Sequence, residues 1–164
     1  MVIILMGVSG SGKTLIGQFL AKDLGWPFYD GDDFHPQTNI DKMSRGIPLN
    51  DEDRKPWLDT LQQLIHKCLQ EGQPAILACS ALKQAYRDHL LKDNPGALFV
   101  YLKGTYDLIL RRLQERKGHY MKADLLTSQF NTLEEPKGVL TIDVNQKPET
   151  IVQLIKQGLG LDKH

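Results

Sequence analysis

Apolar residues enter this chain in two rhythms. In five places they gather into short segments, at residues 1–6, 27–30, 75–79, 98–102 and 139–144. Uninterrupted runs of this length are what parallel strands covered on both faces require. Between the runs, apolar residues recur every three or four positions, the spacing of a helix face. Leu15, Ile16, Phe19, Leu20 and Leu24 predict a first helix that stops at Gly25, and Trp57, Leu58, Leu61, Leu64, Ile65 and Cys68 predict a long one that stops at Gly72. Asn50 or Asp51 is the candidate cap of the long helix, while Pro56 argues for a boundary near Asp53. Ser80 to Lys83 opens a further helix through Tyr86 and Leu90, Thr105 caps another that turns Leu108, Ile109 and Leu113 inward, and residues 148–159 form the last. Short helices are expected around Ile40 and Met43 and within 125–130. Strands alternating with helices imply a parallel sheet with right-handed crossovers, and residues 1–164 show no repeat or linker, so a single α/β domain is expected.

The turn after the first run changes this from a fold class to a chemistry. Gly7-Val8-Ser9-Gly10-Ser11-Gly12-Lys13-Thr14 fits G-x-x-x-x-G-K-[ST] throughout, between a predicted strand and a predicted helix, as a phosphate-binding loop must. Its glycines let the backbone turn tightly and aim successive N–H groups at a polyphosphate beside the positive end of the helix. In this motif Lys13 reaches the β- and γ-phosphates of ATP and the Thr14 hydroxyl binds Mg²⁺. A three-layer P-loop NTPase fold with a five-stranded parallel sheet follows.

Composition narrows the partners. The 20 basic and 20 acidic residues leave no net charge, which removes the broad basic field of a nucleic-acid or membrane-surface binder. The first run is too short for a secretory signal and no later one approaches the roughly 18 residues that span a membrane, so a cytoplasmic protein without a leader is expected. Cys68 and Cys79 lack metal or redox spacing and are expected to be free thiols.

Asp30 and Asp32 stand at the carboxyl end of the second strand, the edge where open α/β sheets hold ligands, and alternation in extended backbone would turn both to one side. Asp30 is the candidate Mg²⁺ neighbour and Asp32 the candidate base for an acceptor hydroxyl. The long polar connection 33–56, punctuated by Pro36, Gly46, Pro48 and Pro56, is expected to bind the acceptor. Arg111, Arg112, Arg116 and Lys117 crowd the end of one helix, more charge than its dipole requires, and Arg116, Lys117 and His119 are candidates to descend over the phosphates within a lid at 117–136. A regulatory GTPase is the competing class. It would carry N-K-x-D, and Asn145-Gln146-Lys147-Pro148 after the fifth strand does not fit.

Longer blocks point further. Asp30-Gly-Asp32-Asp-Phe-His35-Pro36, Asn39-Ile-Asp-Lys42-Met43, Gly46 through Trp57, Cys79-Ser80-Ala81-Leu82-Lys83 with Tyr86-Arg87-Asp88, and Arg116-Lys-Gly118-His119 with Ser128-Gln129-Phe130 resemble the gluconokinase family of P-loop kinases across nearly the whole chain. Tyr120, where Phe is common, is a small departure. The resemblance implies ATP- and Mg²⁺-dependent phosphorylation of D-gluconate on its 6-hydroxyl by a homodimer with a shikimate-kinase-like arrangement, related to nucleoside-monophosphate kinases. It implies Asp32 as the carboxylate at the acceptor hydroxyl, Arg54 as the partner of the substrate carboxylate, and His35, Lys83 and Arg87 as further members of the pocket, so that Lys13, Asp32 and Arg116 are the candidate catalytic residues and His119 joins the candidate substrate-binding ones. Arg112 and the residues from Gln146 to Pro148 are implied for adenine.

Overall fold

The computed structural model describes residues 1–115 and 123–162. Five parallel strands form one sheet in the order β2-β3-β1-β4-β5, with β1 (Val2–Met6), β2 (Phe28–Asp30), β3 (Ala75–Ala78), β4 (Ala97–Lys103) and β5 (Leu140–Asp143). The central strand pairs on both sides, Val2 with Ala75 and with Ala97, so the phosphate loop leaves the middle of the sheet. The chain builds β2 and β3 on one side of β1 and β4 and β5 on the other, and that reversal opens a crevice beyond the carboxyl ends of the strands.

Side chains of β1 alternate between two cores. Ile3 and Leu5 meet Ile76, Val100, Leu102 and Ile142 under α1 (Lys13–Leu24), α5 (Tyr106–Glu115) and α7 (Pro148–Gly158). Val2, Ile4 and Met6 meet Leu77, Phe99 and Tyr101 under α3 (Asp51–Gln70) and α4 (Gln84–Leu91). Both faces are covered, as the apolar runs require. The short helices are α2 (Gln37–Ser44) and α6 (Ala123–Thr132).

Several local expectations shift. The first helix buries Ile16, Gly17, Leu20 and Ala21, while Leu15 and Phe19 stand exposed. The sequence offered two adjacent apolar stripes, and the bare side of Gly17 lets Phe28 of β2 close on only one of them. Asn50 caps α3 in a reciprocal box with Asp53, and the helix continues through Pro56. Its sixth position leaves only the carbonyl of exposed Glu52 without its helical donor, where water can replace it. Residues 80–83 stay outside α4, because Ala81 adopts a left-handed backbone (φ 45°) that cannot open a right-handed helix. β2 ends at Asp30, and Gly31–Phe34 winds into a 3-10 turn. The two carboxylates are therefore not neighbours on one extended edge.

Candidate active site

The loop between β1 and α1 is held in a shape that a side chain at its first residue would destroy. A Cβ on Gly7 (φ 152°) would lie 2.7 Å from the Leu102 carbonyl oxygen, and Gly12, the cap residue of α1, sits at φ 99°. Both therefore need glycine. Lys13 folds back across this loop, its Nζ donating to the carbonyls of Gly7 (2.9 Å) and Val8 (3.0 Å). Burial lowers the pKa of its ammonium, and Asp32, Cys79 and Asp30 oppose that shift.

Asp30 works on both sides of the loop. Its Oδ2 accepts from the Thr14 hydroxyl at 3.2 Å and its Oδ1 caps the 3-10 turn by accepting from the Asp32 N–H at 3.0 Å. A hydroxyl and a carboxylate side by side next to a phosphate loop suit Mg²⁺, a hard cation that keeps several waters and takes one or two such protein oxygens. An open pocket of about 300 Å³ with Thr14, Asp30 and Asp33 in its wall leaves room for the waters.

Asp32 is exposed at the second position of the 3-10 turn, with enough protein near its carboxyl to hinder its hydration. Burial raises its pKa above the ordinary carboxylate value, the charge of Asp30 adds to the rise, and Lys13 and His35 pull against it. His35 lies stacked on Trp57, ring centroids 4.4 Å apart and planes within 13°, and burial lowers its pKa. Trp57 is fixed in turn by its indole N–H, which donates to the Gly31 carbonyl at 2.7 Å. One aromatic pair thus braces the turn that carries Asp32.

Arg54 and Lys83 both approach the ring of Tyr86, at 5.7 and 5.6 Å from its centroid. The Tyr86 hydroxyl accepts from Arg54 Nη1 at 3.2 Å and donates to Asp51. Lys83 is already paired with Asp51 at 3.2 Å. Arg54 meets no carboxylate at ion-pair distance among the described residues, so its guanidinium is the cation with unspent capacity for one.

Arg87, expected among the substrate-pocket residues, is tied to backbone on both sides of the pocket wall. It is 2% exposed, and its guanidinium donates to the carbonyls of Ala81 (2.7 Å) and Glu134 (2.7 Å), pinning the left-handed turn after β3 to the segment after α6. Its Nε is buried without a hydrogen-bond partner among the described residues. Arg112 Nη2 donates to the Val144 carbonyl at 2.6 Å, and Gln146 Nε2 to that of Asp143 at 2.8 Å. Pro148 opens α7 just beyond, so Arg112, Gln146 and Pro148 gather at one end of the crevice. Arg116, Lys117, Gly118 and His119 lie outside the described residues.

The shikimate kinase family model matches residues 9–157. A protein from Xenopus tropicalis described as a probable gluconokinase is 47% identical, covering 95% of this chain and 92% of its own length. The thermosensitive gluconokinase of Escherichia coli K12 is also 47% identical, covering 95% and 86%. The chain belongs to the gluconokinase family. The crystal structure of a gluconokinase from Sinorhizobium meliloti 1021 superposes with a TM-score of 0.84 at 41% identity, over 99% of this chain and 97% of that one.

Within this gluconokinase fold, two contacts were not visible in the sequence. Gln129 of α6 reaches back to the phosphate loop, its Oε1 accepting from the Ser9 N–H (2.7 Å) and its Nε2 donating to Ser9 Oγ (2.9 Å). A polar residue between Leu126 and Phe130, both packed in the core, was the available signal. The Asp51–Tyr86 contact joins helices 35 positions apart and had none.

Proposed function

We propose that this chain transfers the γ-phosphoryl group of ATP to the 6-hydroxyl of D-gluconate, giving 6-phospho-D-gluconate and ADP. The observation that carries the reading is the placement of Asp32 within the electrostatic reach of Lys13, with an arginine lacking a carboxylate partner further along the crevice. An acceptor hydroxyl beside Asp32 and an acid group at Arg54 describe a polyhydroxy acid. The close relatives named gluconokinase support the choice of gluconate among such acids.

Asp32 takes the proton of the 6-hydroxyl as the O6–P bond forms and the bond from Pγ to the β–γ bridging oxygen breaks, and ADP leaves with that oxygen. Lys13 exchanges its two carbonyl partners for phosphoryl oxygens, and the loop N–H groups hold the β-phosphate. Arg54 fixes the carboxylate end of the substrate, with His35 and Lys83 at the same cleft, so that one hydroxyl is presented to phosphorus. Arg116 and His119 add positive charge from the lid, and Arg112 with residues 146–148 holds adenine. Thr14 and Asp30 would hold Mg²⁺, and the charge neutralisation it would supply there is that of a hard cation beside phosphate oxygens. The same reading makes the protein a homodimer, on the family resemblance, and a cytoplasmic one, on the absence of a signal-like or membrane-spanning run in the sequence. Among the described residues no helix is long and apolar enough to cross a membrane.

A coupled assay of ADP release across gluconate, other aldonates, shikimate, AMP and CMP tests the reading. Gluconate should stimulate turnover and the nucleotides should not. Equal or better turnover with AMP, CMP or shikimate would overturn it.

A further inference from the structure

Asn39 is 2% exposed, and both hydrogens of its amide nitrogen are assigned by their neighbours. Nδ2 lies 2.8 Å from the Asp53 backbone carbonyl, a group that can only accept, so this atom is the nitrogen and not the oxygen of the amide. The same Nδ2 lies 3.1 Å from His35 Nδ1. A donor facing that ring nitrogen requires it to carry a lone pair, and a neutral imidazole with Nδ1 bare has its proton on Nε2. The chain of constraint thus runs from a carbonyl in α3, through an amide in α2, to the tautomer of a histidine in the crevice.

Trp57 covers one face of the same ring, and Asn39 takes its Nδ1 edge, which leaves Nε2 as the ring's free polar atom. No hydrogen-bond partner for Nε2 is present among the described residues. The charged groups whose fields reach the ring are Asp32, from the 3-10 turn, and Arg54, from α3. These are the two residues that bracket the acceptor in the reading above. A doubly protonated His35 would set an N–H against the N–H of Asn39, so the geometry resists the imidazolium as well as the other tautomer.

We propose that Asn39 is a positioning residue that locks His35 in the neutral Nε2–H tautomer, so that the ring donates a hydrogen bond to a hydroxyl oxygen of the bound sugar acid between Asp32 and Arg54. The donor role rests on the reading of the crevice as a gluconate site, whereas the lock does not. An Nε2–H donor suits a hydroxyl that must itself give its proton elsewhere, because it engages the oxygen lone pair and leaves the O–H free.

Long-range ¹H–¹⁵N correlation spectra of the full chain at neutral pH read the lock directly, with the His35 signals assigned by their loss in His35→Gln. The wild type should show a protonated Nε2 and a bare Nδ1. Asn39→Asp, which replaces the donor by an acceptor, should move the proton to Nδ1 or add a second one and raise the pH at which His35 titrates. An Nδ1–H wild type, or an Asn39→Asp variant with the wild-type pattern and titration, overturns the lock. If Asn39→Asp does not fold, the wild-type spectrum alone still decides.

Steady-state kinetics read the donor role. His35→Gln keeps an N–H at similar reach and should hold kcat/KM for gluconate within about fivefold, whereas His35→Met should lose about tenfold to a hundredfold, with the KM for ATP moving little. Equal values for both variants and wild type overturn the donor role. A wild type without gluconate-dependent ATP consumption overturns the reading of the crevice and the donor role with it, while the spectra still judge the lock.

Discussion

Arg54 and Lys83 carry the same charge to the same tyrosine, yet their surroundings divide their work. Lys83 is neutralised by Asp51, while Arg54 spends one N–H on a phenol oxygen and keeps the rest of its fork. A planar fork can meet a carboxylate through two parallel hydrogen bonds and a lysine cannot. Arg54→Lys should therefore raise the KM for gluconate by about tenfold or more, with kcat and the ATP KM changed far less, as when binding common to ground and transition states is lost. An ATP KM that rises instead would place Arg54 with the phosphates. At this scale the sequence spoke clearly where a backbone motif fixes a side chain, as with Lys13 and Thr14 in the loop, while Asp30 was placed only by its strand end and meets Thr14 there. One guanidinium serves equally well to hold a substrate or two backbone carbonyls, and nothing in the order of residues says that Arg87 meets those of Ala81 and Glu134. Cys79 makes a second residue-scale test. Burial pushes its thiol up to about 12, so at pH 8 almost none of it is the reactive thiolate. Ellman's reagent should leave it untouched in the folded protein and titrate it promptly in denaturant. Fast reaction in the native state would mean that the strand end opens.

Helix boundaries show where pattern stops being enough. The apolar spacing located α3 and α1, but Pro56 suggested a break that an exposed carbonyl makes cheap, and two equivalent stripes on α1 were separated only by what lies opposite. Gly17 is that separator. Alanine is about 1 kcal/mol better than glycine in a helix interior, and on propensity Gly17→Ala should stabilise the protein. A Cβ there would sit 2.3 Å from Phe28 Cε1, however, and overpacking of this kind costs about 1–3 kcal/mol. Packing should win. Urea denaturation should show Gly17→Ala less stable by about 1 kcal/mol, and a midpoint above that of the wild type would sink the argument. The ring it would displace precedes Tyr29 and Asp30 on the short β2, so the strain acts on the strand that delivers the carboxylate beside Thr14.

Across the whole molecule, the five-stranded parallel sheet was legible because continuous apolar runs alternate with helices, but the ties between α6, the segment after it and the crevice wall were not, because they join residues far apart in sequence. Two of the ties that hold the segment from α6 to Glu135 bear on the crevice. Gln129 grips Ser9 in the phosphate loop, and beyond the helix the Glu134 N–H donates to the Leu82 carbonyl at 2.8 Å while its own carbonyl accepts from Arg87. One tie belongs to the nucleotide side of the crevice and the other to the wall beside Lys83 and Tyr86. A ligand that binds only the assembled crevice stabilises it by mass action, so both ties should tighten when the crevice is filled. Hydrogen exchange should therefore slow in α6 on adding a non-hydrolysable ATP analogue with gluconate. In Gln129→Ala the response of α6 to the analogue alone should shrink by about fivefold, the worth of roughly 1 kcal/mol of hydrogen bonding, while protection near Glu134 survives. Identical exchange in α6 with and without both ligands would show that the helix is a fixed wall and that closure, if it occurs, lies elsewhere.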